Sequence, residues 1–152
     1  MRYVRYAAEG WGVGELVFDG ETLVHSEAPS PSNRLVPGED RLGARLRRYF
    51  AGARDDFLDV ELDLDGATPF QRAICDALRA VPYGETVTYG ELAALAGHPN
   101  AQRAVGSFCA HNRFSIVVPC HRVVAAGGIG SYGSLGIPYK QRLLELERAD
   151  LR

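Results

Sequence analysis

Cysteine is scarce in this chain, with three residues (75, 109 and 120) among 152. An odd, sparse count excludes a disulfide scaffold. The first half holds no Cys-x-x-Cys pair or His/Cys cluster, so no structural zinc is expected; no other metal and no cofactor is expected either. Long hydrophobic runs are missing too, and a membrane span of about 20 apolar residues cannot be drawn anywhere. Met1–Tyr6 lacks the apolar centre of a secretory signal, so the expectation is a reduced, cytoplasmic protein with no membrane partner. Lysine occurs once, at 140, among 17 cations. Arginine bias suits planar recognition of phosphates or bases, but a GC-rich genome produces it equally, so it decides little. Strong net charge is absent as well. The formal value of −2 argues at first against a nucleic-acid partner.

What is present describes a globular protein. Hydrophobic residues make up 46% and charged residues 24%, and a chain of this length buries about 68–70% of its unfolded surface. Charge is uneven along it. Residues 1–66 carry 8 cations against 13 anions (−5), whereas residues 67–152 carry 9 against 6 (+3). The acidic half ends in a dense run through Asp55, Asp56, Asp59, Glu61, Asp63 and Asp65, which reads as a solvated loop and strand face. The chain is expected to divide at 66/67.

The first half reads as a small α+β unit. Alternation over Arg2–Ala7, Gly14–Phe18 and Thr22–His25, punctuated by Glu9–Gly12 and Asp19-Gly20, predicts a β-meander. A Pro/Ser loop follows over Ala28–Asn33, then a helix over Glu39–Ala51 and a half-exposed strand over Asp59–Leu64. In the second half, Thr68-Pro69-Phe70-Gln71 is a capping box with proline at the first helical position. Its helix carries Phe70, Ile74, Ala77, Leu78 and Val81 on one face. Thr88-Tyr89-Gly90-Glu91 opens a second helix that stops at Gly97, and Asn100 is expected to cap a third over Ala101–Ala110. Two short helices so joined form a helix-turn-helix pattern, which generic helical hairpins share. The third helix is odd for a major-groove reader, with one cation among small residues. Val105, Phe108 and Cys109 are expected to face inward and Arg103 outward.

The most informative stretch is Ile116–Val124, in which β-branched runs flank Pro119-Cys120-His121-Arg122. A cysteine beside apolar strands is ordinarily a buried structural residue. His121 and Arg122, however, would be costly there without partners, and an adjacent imidazole can take a thiol's proton. Gly127–Gly136 reads as a flexible loop, either lining a pocket or simply connecting. A closing helix is predicted from about Tyr139, with Glu145 and Glu147 among leucines.

From Thr68 to Glu147 the sequence closely resembles the O6-alkylguanine-DNA alkyltransferase family. The resemblance rests on Thr68–Gln71, Pro82-Tyr83-Gly84-Glu85-Thr86, Tyr89-Gly90-Glu91-Leu92-Ala93, Ala101–Gly106 and Ile116–Val124. It implies a small ribonuclease-H-like α/β domain followed by a mostly helical domain with a winged-helix-like helix-turn-helix. It further implies transfer of the alkyl group from O6-alkylguanine, with O4-alkylthymine as a candidate second substrate, in double-stranded DNA to a cysteine, once per molecule. Cys120 matches the acceptor thiol and His121 the base acting on it through a bound water. Glu147, seven residues after Lys140, matches the acid that orients the histidine, and Asn112 the residue bracing the turn.

Tyr89 resembles the tyrosine that helps rotate the nucleotide out and hydrogen-bonds to the base, and Arg103 the arginine that fills the vacated stack. Thr88, Ala101, Gln102, Ala104, Gly106, Ser107 and Arg122 fall on the DNA-binding surface that the resemblance implies, with the third helix in the minor groove. Val123, Tyr132, Gly133 and Ser134 fall at the alkyl pocket. A monomer is expected. Two positions depart from the family's pattern: Arg113 stands where proline is common, and the loop after Tyr132 is one residue longer. Three readings compete with this one. One is the alkyltransferase-like group, which has tryptophan in place of the acceptor cysteine and which Cys120 therefore excludes. The others are a helix-turn-helix regulator with a structural cysteine and a cysteine hydrolase using Cys120, His121 and Glu147.

Overall fold

The computed structural model describes residues 1–31 and 40–148. It divides into two compact units, one of residues 1–63 with 113–117 and one of residues 64–112 with 118–148 of the described chain. The segment Arg113–Val117 thus belongs with the first unit, on the far side of the 66/67 division.

In the first unit, β1 (Arg2–Ala8), β2 (Gly12–Asp19) and β3 (Thr22–Ser30) form an antiparallel sheet in the order β1-β2-β3. The meander agrees with the alternation, but β3 runs on through Ala28 and Pro29, which the Pro/Ser composition assigned to a loop. Proline is tolerated because β3 lies at the sheet's edge, where a missing N–H breaks no inner ladder. Ser32 and Asn33 of that loop, and the helix start at Glu39, lie outside the described residues. Helix α1 (Arg41–Phe50) is capped by Asp40, whose carboxylate accepts from Gly43 N. Its buried Leu46, Tyr49 and Phe50 join Trp11 and Phe57, with Trp11 and Phe50 ring centroids 4.9 Å apart.

No strand forms over Asp59–Leu64; Leu23 and Leu62 make only an isolated parallel bridge. Part of the acidic run is instead drawn to one cation, as Arg45 Nη2 donates to Asp55 at 2.8 Å and to Asp59 at 2.9 Å. These hydrogen bonds pull both carboxyls below their ordinary range. Gly12 sits at φ 116°, where a Cβ would lie 2.4 Å from the Ser30 carbonyl carbon. Backbone cannot yield as a side chain would. Gly12→Ala is therefore expected to cost on the order of 3 kcal/mol in urea unfolding, and a change under about 0.5 kcal/mol would mean that the turn adapts.

The second unit holds α2 (Pro69–Arg79), β4 (Val87–Thr88), α3 (Tyr89–Leu95), α4 (Gln102–Ala110), β5 (Val123–Val124) and α5 (Gly136–Leu146). Both capping boxes form reciprocally, with each threonine hydroxyl accepting from the backbone N–H three residues on and Gln71 or Glu91 reaching back. Ile74, Cys75, Leu78, Leu92, Val105, Leu143 and Leu144 are buried, while Phe70, Ala77, Phe108 and Cys109 are only half-buried. Asn100 does not cap α4. It occupies a left-handed turn at φ 69°, and Ala101 precedes the helix with no side-chain bond. Helix α5 begins at Gly136, three residues before the start its leucine spacing suggests. Ile116–Val118 forms no strand, because Ile116 turns through φ 74°. In this region of the second unit Val87 pairs in parallel with Val123 and Thr88 with Val124. It brings the start of α3 beside the residues that follow Cys120. Among the described residues no helix is long and apolar enough to cross a membrane.

Candidate active site

After the Pro119 bend the chain makes one 3-10 turn over Cys120–Arg122, closed by Arg122 N donating to Pro119 O at 2.9 Å. Upstream, the Val118 carbonyl accepts from Cys120 N at 2.8 Å and from Asn112 Nδ2 at 2.9 Å. Asn112 follows α4, so it ties the end of that helix to the cysteine turn. Cys120 is 5% exposed. Burial pushes its thiol well above the ordinary value, contact with the Cys109 thiol adds to this, and the Asn112 amide partly offsets it. The thiol is therefore protonated at rest.

The two polar residues after the cysteine are buried on one carboxylate. Glu147, at the end of α5, accepts from His121 Nε2 at 2.7 Å, from Arg122 Nε at 2.9 Å and from Arg122 Nη2 at 3.0 Å. Arg122 Nη1 donates to the Val81 carbonyl at 2.8 Å. Burial raises the Glu147 carboxyl, but the hydrogen bonds from His121 and Arg122 and the Arg122 charge outweigh it and hold the carboxyl well below the carboxylate range. His121 is wholly buried, and burial lowers its imidazole below the ordinary value. The pair at neutral pH is thus carboxylate and neutral imidazole, with Nε2–H donating. Proton exchange with a neighbour must then run through Nδ1.

Lys140, on α5, is buried, and Nζ donates to the Val123 and Ser131 carbonyls. Burial lowers its ammonium to about 8, against which the Cys109 and Cys120 thiols pull it up. Nζ also lies 5.9 Å from the Tyr89 ring centroid. Gly130, at φ 80°, fits between them, for a Cβ there would meet the Tyr89 hydroxyl at 3.0 Å and Lys140 Nζ at 3.3 Å. Beside it opens a pocket of about 550 Å³ lined by Tyr89, Gln102, Arg103, Gly106, Gly130 and Ser131. Tyr132 stacks on Tyr139, with ring centroids 6.2 Å apart, and burial pushes both phenols up.

The chain has relatives among known proteins. A profile described as "6-O-methylguanine DNA methyltransferase, DNA binding domain" matches residues 69–149, more than half of the chain. The chain belongs to the O6-alkylguanine-DNA alkyltransferase family. A Mycobacterium tuberculosis methylated-DNA–protein-cysteine methyltransferase is 52% identical over 106 residues, which cover 69% of this chain and 62% of that protein. The chain thus spans somewhat under two thirds of the mycobacterial relatives it matches. A probable methylated-DNA–protein-cysteine methyltransferase of Acanthamoeba polyphaga mimivirus is 37% identical over 138 residues, 90% of this chain and 91% of the relative. The crystal structure of M. tuberculosis OGT in complex with DNA superposes with a TM-score of 0.80 at 38% identity, covering 98% of this chain and 95% of that one.

Against the alkyltransferase pattern, most of the residues named from sequence lie in the second unit's Cys120 region or along α4. Gln102, Arg103, Ala104 and Ser107 are exposed on α4, with Ala101 and Gly106 half-exposed. Gly133 and Ser134 are exposed in the turn after Tyr132, while Val123 is wholly buried and can only back a pocket. Thr88 uses its hydroxyl to cap α3. Arg122 is a correction. At 3% exposure, with its guanidinium held by Glu147 and Val81, it cannot reach a phosphate. Arg113 donates to the Asp63 carbonyl at 3.0 Å, within the first unit. Two residues beside the thiol escaped the sequence reading, Lys140 and Cys109. For Lys140 a signal existed in the chain's sole lysine, set one turn before Leu143 and Leu144; for Cys109 there was none.

Proposed function

We propose that this protein repairs alkylated DNA by direct reversal, taking the alkyl group from O6 of guanine in double-stranded DNA onto the sulfur of Cys120. The observation that carries the reading is the cysteine turn itself, a buried thiol braced by Asn112 and followed by the buried His121–Glu147 pair, in a chain of this family. The sulfur attacks the alkyl carbon in line. An S–C bond forms as the C–O6 bond breaks; the electron pair stays on O6, and the departing guaninate takes up one proton to restore guanine. The thiol proton passes through a water to His121 Nδ1, and the Glu147 carboxylate stabilises the imidazolium that forms. Cleaving the resulting thioether is beyond any group in the site, so each molecule acts once.

Proton removal alone supplies little of the rate. Bringing a thiol from pKa about 8.5 to about 7 raises the thiolate fraction about 16-fold, and falling nucleophilicity returns about fivefold of that. In-line positioning and stabilisation of the leaving oxygen must carry the remainder. Tyr89, facing the pocket, is the donor for the second task. Guanine O6 lies on the paired edge of the base, so the nucleotide must leave the duplex. In this reading α3 and α4 act as a helix-turn-helix in the minor groove. Ala101, Gln102, Ala104, Gly106 and Ser107 allow close approach, Thr88 holds the start of α3, and Arg103 fills the vacated stack. Tyr132, Gly133 and Ser134 border the alkyl group. The M. tuberculosis structure in complex with DNA supports the choice of partner. We take the protein to work as a cytoplasmic monomer, and its weak net charge of −2 predicts modest, salt-sensitive affinity.

Incubation with duplex DNA containing O6-methylguanine, followed by intact mass, tests the reading. One methyl group, about 14 Da, is expected on the Cys120 peptide and none on Cys120→Ser. Repeated turnover, or methyl uptake by Cys120→Ser, would overturn it. Arg103→Ala is expected to slow repair in duplex DNA by about 10-fold or more, equivalent to ~1.4 kcal/mol, while reaction with free O6-benzylguanine stays within about threefold. Equal loss on both substrates would remove Arg103 from base rotation.

A further inference from the structure

Arg122 is buried two residues after the acceptor cysteine, and the alkyl transfer proposed above gives it no task. Its guanidinium grips the Glu147 carboxylate as a fork, Nε donating to Oε1 at 2.9 Å and Nη2 to Oε2 at 3.0 Å. His121 Nε2 donates to the same Oε2 at 2.7 Å, and Gly84 N donates to Oε1 at 3.4 Å. The remaining nitrogen, Nη1, donates to the Val81 carbonyl at 2.8 Å, and the guanidinium carbon lies 5.7 Å from the Tyr83 ring centroid. Guanidinium and imidazole thus share one carboxylate oxygen, in a place where neither side chain is more than 4% exposed.

We propose that Arg122 is a positioning residue that keeps His121 a neutral base, its charge cancelling that of Glu147 so that the imidazole faces a neutral ion pair rather than a bare anion. The inference rests on the reading of His121 as the group that takes the Cys120 proton. A buried imidazole on a lone carboxylate is drawn towards imidazolium, since an opposite charge in contact favours the charged form by about one to three pH units. An imidazolium carries a proton on both nitrogens and cannot accept another from a thiol. The carboxylate is needed all the same, because accepting from Nε2–H fixes the ring and makes Nδ1 the accepting nitrogen. The guanidinium fork meets both demands, leaving the carboxylate's hydrogen bond to His121 in place while removing its net charge. Burial disfavours the imidazolium most, Glu147 on α5 favours it, and Arg122 from the same turn and Lys140 from α5 oppose it. The neighbouring Cys120 is a protonated thiol, and the Pro82–Gly84 segment brings the Tyr83 ring and Gly84 N. Arg122 thus acts on the proton transfer through Glu147, without touching the reacting atoms.

Ring-nitrogen NMR of the full-length protein reads the state of His121 without any alkyl transfer. The expected result is a neutral imidazole at pH 7 with its proton on Nε2; an imidazolium, or a proton on Nδ1, would overturn the proposal. Arg122→Gln is expected to raise the His121 protonation midpoint by about one unit. Arg122→Lys, which keeps the charge and loses the fork, should leave it within about 0.3 unit. In reaction with free O6-benzylguanine, the rate of Arg122→Gln relative to wild type should fall about threefold or more between about pH 8.5 and 6, as the variant's His121 protonates first. The same ratio for Arg122→Lys should stay flat with pH, at a reduced level. A structural role alone would lower each variant by a constant factor at every pH, and that outcome, or an unmoved midpoint in Arg122→Gln, sinks the idea. Arg122→Gln leaves a buried carboxylate without its counter-charge and can fail to fold. The midpoint comparison is therefore repeated in the Glu147→Gln background, where adding Arg122→Gln should again raise it by about one unit; no rise there counts equally against the proposal. Wild-type protein that does not react with O6-benzylguanine would sink the repair reading, while the NMR midpoints judge the role of Arg122 separately.

Discussion

Replacing Glu147 by alanine is expected to lower stability by about 3–5 kcal/mol, the cost of leaving buried charge without its counter-charge. One carboxylate accepts three hydrogen bonds from His121 and Arg122, and its side chain and that of His121 are fully buried. Alanine strips the guanidinium of its counter-charge where water cannot substitute, leaving it only the Val81 carbonyl among the partners described above. Glutamine keeps the shape and the acceptor for His121 but not the charge, so Glu147→Gln should lose less stability than alanine while still impairing methyl transfer. The pH dependence has a defined sign. The Glu147 carboxyl titrates lower in the folded state than its ordinary 4.5, so its contribution is complete above that value and disappears as pH falls through the folded one. His121 is likewise depressed below 6.5, so acidification also draws protons preferentially to its unfolded form. Urea unfolding between pH 7.5 and 4 should show wild-type stability falling on acidification. Glu147→Gln should start lower and fall less below about pH 4.5. Parallel curves would mean that Glu147 does not hold the charge assigned to it.

Lys140→Met is expected to slow alkyl transfer by about three- to fourfold, the effect of a one-unit rise in thiol pKa on the thiolate fraction less the accompanying gain in nucleophilicity. The Lys140 ammonium is the cation that acts on both the Cys109 and Cys120 thiols, in a region where burial otherwise opposes ionisation. It also holds the Val123 and Ser131 carbonyls, so methionine should cost a further ~1–3 kcal/mol of stability. Rate and stability separate by pH. Because Lys140 titrates at about 8, wild-type reaction with free O6-benzylguanine should rise with pH as the thiol ionises and then flatten as the ammonium is lost. The methionine variant should show no such bend. A variant within about twofold of wild type across the range would leave Lys140 as a bracket for the two carbonyls alone.

These expectations rest on a feature that local sequence does not carry. Pro-Cys-His-Arg announces a reactive thiol, but its surroundings invite placing Arg122 on DNA, since an arginine beside a nucleic-acid site is usually a phosphate contact. Its true partner is Glu147, 25 residues away at the end of α5. Likewise Ile116–Val118 has the composition of a strand and forms none, because one backbone turn at Ile116 takes precedence over β propensity.

What the sequence by itself determined is everything governed by neighbours along the chain. Both capping boxes, the meander, the exposure of Arg103 on α4 and the membership of Cys120 and His121 in one motif depend on contacts within a few residues, and so they are written in spacing. Tertiary structure decided what depends on meeting across long separations. Burial raised the Cys120 thiol, gathered His121 and Arg122 onto Glu147, and set the sole lysine under the site. The physical reason is that hydrogen-bond partners and dielectric are properties of a place in the fold, and a residue's number along the chain does not specify them.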